Sequence, residues 1–244
     1  MAIEPLAMTA HTVTNALGRG VAASLNALRR GASGLRPCDF EDADLPTWIG
    51  RVAGLEDESL TGEFAAFDCR NNRLARLGLE QDGFSAAVRA ARDRYGADRI
   101  GVFVGTSTSG IGATEHAYRR RDPVTGRLPE DFDYQHTHNV FSVVDFTRRW
   151  LGLTGVALAI STACSSSAKV FASAWRSLQM GFCDAAVVGG VDSLCLTTLY
   201  GFNALGLTST QVCRPWDAER DGLNVGEAAG FALLERAEPD DRRV

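Results

Sequence analysis

The third quarter of the chain alternates two short apolar segments with a helical one, and this alternation limits the folds available to it. Residues 156–161 and 184–191 are predicted to be buried strands, and residues 164–180 a helix that Gly181 ends. Further strands and helices are predicted at residues 8–15, 21–30, 81–95, 99–105 and 229–235. Short apolar strands that alternate with helices indicate an α/β layered fold around a largely buried sheet.

Three segments show no regular pattern. Residues 31–62 are rich in glycine, proline and acidic residues, and residues 119–138 form a polar, proline-containing surface excursion. Residues 238–244 are charged and follow no pattern. Because no linker composition, internal repeat or low-complexity segment divides the sequence, residues 1–244 are expected to form one domain.

Charge and composition exclude several classes of protein. The net charge of -5 argues against nucleic acid as a partner, and the apolar runs are too short to span a membrane. The N-terminus lacks the basic and apolar regions of a secretory signal. We therefore expect a soluble, cytoplasmic protein with reduced thiols. The six cysteines form no C-x-x-C pair and are Cys38, Cys69, Cys164, Cys183, Cys195 and Cys213.

Cys164 lies where an apolar strand passes directly into a helix. Residues 159–169 read AISTACSSSAK, so that small residues surround the cysteine. The helical positions that follow Cys164 at intervals of four, three, four and three are Ala168, Phe171, Trp175 and Leu178. This spacing predicts one helical face turned toward the sheet, with the thiol at the first helical turn beside unpaired backbone N–H groups.

Such a position would suit a nucleophile. The positive end of the helix dipole favours a thiolate, and the free N–H groups can stabilise an oxyanion when an acyl carbonyl is attacked. The alternative is a buried cysteine that only fills space, since free cysteine is among the most buried residue types. The local sequence leaves both interpretations open.

Several motifs in order along the chain resemble those of one family. They are TAHTVTNALGRG, LRRGASGLRP, GVFVGTSTSG, the STACSSSA segment around Cys164, DAAVVGGVDSL, and RPWDAERDG followed by GEAAG. This set is similar to the β-ketoacyl synthases, the condensing enzymes of fatty-acid and polyketide synthesis. The resemblance implies the N-terminal half of a thiolase-like layered fold, with a mixed sheet covered by helices.

The resemblance also implies a chemistry. Cys164 would accept an acyl group from the phosphopantetheine thiol of an acyl carrier protein, for decarboxylative condensation with malonyl-carrier. Its backbone N–H would be one oxyanion donor. Phe202 matches an aromatic residue at the active-site entrance, and Ala163, Thr106 and Thr108 would border the acyl pocket. No cofactor is expected beyond the phosphopantetheine of the carrier, and no metal.

Two partners follow from the same resemblance. One is the acyl carrier protein, whose acidic helix would dock on an exposed basic pair, Arg70 and Arg73, which lie three residues apart. The alternative for this pair is a solvated basic helix face. The other partner is a second chain of ketosynthase fold, in a homodimer or a heterodimer.

The family places two catalytic histidines after the nucleophile, yet all four histidines of this chain precede Cys164. We therefore expect a truncated gene product or one piece of a split protein. Two functional classes remain: a condensing enzyme or half of one, and a non-catalytic partner subunit. Non-catalytic partners of the family usually replace the nucleophilic cysteine, which this chain keeps.

Weaker motifs point elsewhere and are not favoured. His136-Thr-His138 has no third ligand nearby in sequence, so two solvated surface histidines are expected instead of a metal site. The glycines at 105 and 110 have Walker-like spacing without the phosphate-binding lysine. Gly18-Arg-Gly20 lacks the βαβ context of a dinucleotide loop. No G-x-S-x-G is present, which disfavours an α/β-hydrolase.

Overall fold

A computed structural model describes residues 4–237 of the chain. The strands are β1 (Leu6–Asn15), β2 (Gly18–Arg19), β3 (Leu35–Pro37), β4 (Trp48–Gly50), β5 (Ile100–Gly105), β6 (Ala157–Ile160), β7 (Ala185–Asp192), β8 (Val225–Gly226) and β9 (Ala228–Arg236). The α-helices are α1 (Val21–Arg29), α2 (Arg70–Leu79), α3 (Phe84–Tyr95), α4 (Ile111–Arg119), α5 (Ser142–Trp150), α6 (Ser166–Gln179) and α7 (Leu196–Ala204). Short 3-10 helices lie at Gly62–Phe67 and Ala97–Arg99.

Six strands form one mixed sheet in the order β2-β1-β9-β7-β5-β6. The strand β5 pairs in parallel with β6 and β7, whereas β9 runs antiparallel to β1 and β7. A smaller sheet has the order β3-β4-β8. The mixed sheet confirms the expectation for the fold class.

Helices cover both faces of the large sheet, and this explains why its central strands are apolar throughout. Every residue of β5 is buried. Val102 and Val104 pack into the cluster formed with α2, α3 and α5, while Phe103 packs with Val170 and Ala174 of α6 on the opposite face. Alternate side chains of one strand thus enter two different cores.

The predicted inner face of the helix after Cys164 is wrong. The residues of α6 that face the sheet are Ser166, Val170, Ala174, Ser177 and Leu178. Of the predicted set only Leu178 is buried, while Ala168 and Phe171 are exposed and Trp175 is partly exposed. The face that carries Cys164 therefore turns away from the sheet.

Other differences are local. The helix expected from residue 81 starts at Phe84, because Gly83 adopts a left-handed φ of 70° at the N-cap. The helices α2, α4, α5 and α7 were not predicted, and residues 31–62 contain the short strands β3 and β4. Residues 120–138 are turns and bends, as expected. The charged segment 238–244 lies outside the described residues.

Two further findings concern the described residues as a set. Within residues 4–237, no helix combines the length and apolarity required to cross a membrane. All six cysteines lie in this range and carry free thiols.

Candidate active site

Cys164 is exposed in the turn between β6 and α6. Ser165 is the N-cap residue and α6 begins at Ser166, so Cys164 precedes the helix by two positions instead of lying in its first turn. The thiol still lies at the positive end of the α6 dipole. Within the described residues the Cys164 side chain is not part of a buried core, and its role as a nucleophile stays a prediction.

The turn that presents Cys164 is strained and hydrogen-bonded. Ala163 adopts a left-handed φ of 53°, which costs a non-glycine residue roughly 1–3 kcal/mol. Its carbonyl accepts the Ser166 N–H at 3.1 Å and the Ser166 hydroxyl at 2.6 Å. The same Ser166 oxygen accepts the Thr162 N–H at 2.9 Å. These bonds stabilise a backbone geometry that alanine would not adopt alone.

Two glycines allow the sheet to contact the first turn of α6. A Cβ on Gly105, at the end of β5, would lie 2.6 Å from the backbone nitrogen of Ser167. A Cβ on Gly190, in β7, would lie 2.4 Å from the Ser167 Cβ. Both distances are far below van der Waals contact, so no side chain fits at either position. The glycines of GVFVG and VVGG therefore seat the turn of Cys164 on the sheet.

The loop after β5 contacts this turn and is anchored on Asp192. One carboxylate oxygen of Asp192 accepts the N–H groups of Ser107 at 2.6 Å and Thr108 at 2.9 Å. It also accepts the hydroxyls of Thr106 at 3.2 Å and Thr108 at 3.0 Å. The Ser107 hydroxyl donates to the Ala163 carbonyl at 2.9 Å. Asp192 thus links the end of β7 to the Cys164 turn.

The predicted pocket residues have different surroundings. Thr106 and Thr108 are buried and bonded to Asp192, so their hydroxyls hold the loop together. Ala163 is exposed and adjoins the thiol. Phe202 is half-buried in α7, and its place at an entrance stays a prediction.

Arg70 and Arg73 do not form the exposed basic pair that the resemblance implies, because both side chains are largely buried. Arg70 binds both oxygens of Glu227 at 2.7 and 2.6 Å, and its side chain is only 18% exposed. Arg73 binds both oxygens of Asp68 at 2.6 Å. Burial lowers the pKa of Arg70, but the bonds to Glu227 and Glu56 raise it above its ordinary value. Both guanidiniums stay charged and are already neutralised.

No motif or periodicity indicates the role of Glu227. Its side chain is fully buried and accepts the N–H groups of Val52 at 2.9 Å and Leu194 at 3.0 Å, besides the two bonds from Arg70. Glu227 therefore joins α2, the segment after β4 and the segment after β7. The only sequence signal was an acidic residue inside an otherwise apolar GEAAG segment.

The histidines of the polar excursion are half-buried, not solvated as expected. His136 bonds to Asp133 at 2.6 Å and packs edge-on against Phe67. His138 bonds to the Thr114 hydroxyl, and burial lowers its pKa. In the described part of the chain, no group of three or more potential ligand side chains could hold a metal.

An open cavity of about 510 Å³ lies beside the Cys164 turn on the α6 face of the sheet. Ser167 and Phe171 of α6 line one side, and His11, Val188 and residues of β9 line the other. Asp192 also borders it. Phe171 and Val188 therefore give this cavity apolar walls beside α6.

Comparison with known proteins shows the family of this chain. Residues 4–240 match the model of the β-ketoacyl synthase N-terminal domain. The 3-oxoacyl-[acyl-carrier-protein] synthase 2 of Vibrio cholerae serotype O1 is 28% identical over 98% of this chain and 59% of its own length. The Rhizobium meliloti protein of the same name is 30% identical, covering 95% of this chain and 59% of its own length.

A solved structure agrees with these relatives. A ketosynthase from Xenorhabdus doucetiae, solved in complex with its chain length factor, matches with a TM-score of 0.82 and 29% identity. The match covers 96% of this chain and 59% of that one. The chain thus spans less than two thirds of the proteins it matches. It belongs to the β-ketoacyl synthase family, whose N-terminal domain it contains.

Proposed function

We propose that Cys164 is the acyl-accepting nucleophile of a β-ketoacyl synthase that acts in fatty-acid, polyene or polyketide synthesis. The observation that carries the proposal is the exposed thiol in a strained turn at the N-terminus of α6. The names of the relatives contain an acyl carrier protein, which supports a carrier-bound acyl thioester as substrate.

The first half-reaction is a thioester exchange. The Cys164 thiol loses its proton, and its sulfur attacks the acyl carbonyl carbon while the carbonyl electron pair moves to oxygen. The oxyanion then collapses, the bond from carbon to the carrier sulfur breaks, and the carrier thiolate leaves and takes up a proton. The N-terminus of α6 would stabilise both the attacking thiolate and the oxyanion.

Complete turnover is assigned to the longer enzyme. The family's two catalytic histidines follow the nucleophile in sequence that these 244 residues do not contain, and they serve the condensation with malonyl-carrier. They would be supplied in the same polypeptide or by a second one. The only prosthetic group needed is the phosphopantetheine on the carrier, and a reducing compartment such as the cytoplasm would keep the thiol free.

A second chain of ketosynthase fold is the proposed partner in assembly. The strand β6 lies at the edge of the large sheet, and Leu158 on it is 44% exposed. An unpaired edge next to the nucleophile turn supports pairing with another sheet. Co-purification with this chain would show whether the partner is a second copy of it or a chain length factor.

Mass spectrometry after incubation with an acyl-carrier thioester tests the proposal. We expect one acyl group per chain on the peptide that contains Cys164, and none in Cys164→Ala. Cys213→Ala is the matched control, since Cys213 is a partly exposed thiol on a different loop. Acyl transfer to other cysteines, or none at all under conditions where the chain is folded, would favour a non-catalytic partner subunit.

A further inference from the structure

The direction of the Cys164 N–H is fixed by the carbonyl of the preceding residue. The Ala163 C=O and the Cys164 N–H belong to the same planar trans peptide, so the two groups point in opposite directions. The carbonyl accepts three donors: the Ser107 hydroxyl at 2.9 Å, the Ser166 hydroxyl at 2.6 Å and the Ser166 N–H at 3.1 Å. Whatever holds this carbonyl therefore also aims the N–H.

The donors come from two sides. Ser166 belongs to α6, whereas Ser107 belongs to the loop after β5 and holds the carbonyl from outside the turn. Because Ala163 has a left-handed φ of 53°, its backbone is less stable locally than alternative conformations of the peptide. The bond from Ser107 opposes rotation of the peptide toward those conformations.

Ser107 is itself held in place. Its N–H and that of Thr108 donate to one oxygen of Asp192, on the rigid strand β7. The Thr106 and Thr108 hydroxyls donate to the same oxygen. Four donors on one carboxylate oxygen leave the loop little freedom, so the Ser107 hydroxyl stays directed at the Ala163 carbonyl although the residue is exposed.

We propose that Ser107, anchored by Asp192, is a positioning residue that keeps the Cys164 N–H aimed as an oxyanion donor. The proposal rests on the proposed function, since it concerns acylation of Cys164. Ser107 contacts neither substrate nor thiol in this role. It acts through the peptide between Ala163 and Cys164.

Two reactions of the Cys164 thiol distinguish the orientation of the Cys164 N–H from the reactivity of the sulfur. Exchange with an acyl thioester forms a C–S bond and moves the carbonyl electron pair onto oxygen, so it needs the oxyanion donor. Alkylation by iodoacetamide forms a C–S bond as iodide leaves with its electron pair, and no oxyanion develops. A residue that only aims the N–H changes the first rate and not the second.

The experiment measures both rates on the purified 244-residue chain by mass spectrometry, with hexanoyl-N-acetylcysteamine and with iodoacetamide. Ser107→Ala is expected to slow acylation of Cys164 by about tenfold, less than the loss of a whole oxyanion donor, and to leave alkylation unchanged. Ser107→Thr keeps the hydroxyl and should restore acylation. Asp192→Asn should retain most of the rate, because an amide oxygen accepts the same bonds, whereas Asp192→Ala should not.

Ser85→Ala is the matched control. Ser85 also donates its hydroxyl to a carbonyl, that of Leu79 at 2.7 Å, but at the start of α3. Its loss should change neither rate. Unchanged acylation in Ser107→Ala, or an equal loss of acylation and alkylation, would overturn the positioning role while leaving Cys164 as the nucleophile. A wild-type chain that alkylates at Cys164 but is never acylated would overturn the proposed function as well.

Discussion

Cys164 differs from the other five cysteines in exposure and therefore in expected reactivity. Cys69, Cys183 and Cys195 are buried, and burial raises the pKa of each thiol, that of Cys69 to about 11. A thiol with a pKa of about 11 is ionised to only about one part in a thousand at pH 8. With limiting iodoacetamide at pH 8, we expect Cys164 to be alkylated first, and the three buried thiols only after unfolding.

Peptide mapping of the alkylated chain gives the order of reaction. Cys38 and Cys213 are partly exposed but do not lie at the N-terminus of α6. Their labelling rates therefore show how fast an accessible thiol reacts without that helix. If either of them reacted as fast as Cys164, exposure alone would explain the labelling and the turn would confer no activation. Faster labelling of Cys69 than of Cys164 would contradict the burial of the Cys69 side chain.

Some site residues could be predicted from sequence, and others could not. The strand, small-residue turn and helix around Cys164 could be read locally, but the choice of Cys164 as a nucleophile came from the resemblance of several motifs along the chain. The role of Asp192 depends on bonds to residues 84 to 86 positions away, and that of Glu227 on a bond spanning 157 positions. Hydrophobic periodicity within one segment cannot predict hydrogen bonds between residues so far apart in sequence. The same limit made Arg70 look like a free surface cation.

The ion pair that joins α2 to Glu227 leads to a stability prediction. Removing Arg70 as Arg70→Ala would leave the fully buried Glu227 carboxylate without its cation, a loss of about 3–5 kcal/mol. The Asp68 partner of Arg73 is partly exposed, so Arg73→Ala should cost at most about 1 kcal/mol. Urea denaturation followed by circular dichroism measures both free energies of unfolding.

The same pair of variants separates folding from carrier docking. Because Arg70→Ala should destabilise the fold, weaker carrier binding by that variant says nothing about docking. Arg73→Ala is the informative variant: weaker, less salt-sensitive binding at unchanged stability would support the docking prediction for this position. Equal stability losses in the two variants would contradict the distinction between the buried and the exposed pair.

At the level of elements, strands were easier to predict than helix faces. The strands β5, β7 and β9 are apolar because they are covered on both sides, and their bounds differ from prediction by a few residues at most. The helix α2 was missed because three arginines and two asparagines obscure its periodicity. The face of α6 was assigned wrongly because large apolar residues were assumed to point inward.

The packing of α6 explains that error. The glycines of β5 and β7 bring the sheet so close to the first turn of α6 that an added Cβ would meet the backbone of Ser166 and Ser167 or the Ser167 side chain, and Ser166 is buried there. Further along the helix, Val170 and Ala174 continue this narrow face. Phe171 is consequently on the outer side, where it lines the open cavity. Close backbone packing, which composition does not reveal, reversed the expected orientation.

At the scale of the whole molecule, part of the exposed apolar surface lies around the open cavity beside α6. Phe171 is 40% exposed and Met8, across the cavity, is 41% exposed. Leu158, on the edge strand β6, is a further exposed apolar residue at 44%. Exposed apolar side chains such as these favour association with another polypeptide.

The purified 244-residue chain is therefore expected to self-associate and to accept one acyl group without releasing a β-ketoacyl product. Each missing acid–base group typically contributes about 10²–10⁴ in rate, so condensation should fall below detection. Light scattering should show less association in Phe171→Gln than in the wild type. Leu28→Gln, a matched change at an exposed leucine of α1, should have no effect.

Adding a polypeptide that carries the histidine motifs should restore product formation, measured by chromatography with malonyl-carrier. Sustained turnover by the 244 residues alone, free of host synthase, would show that the histidines are not needed.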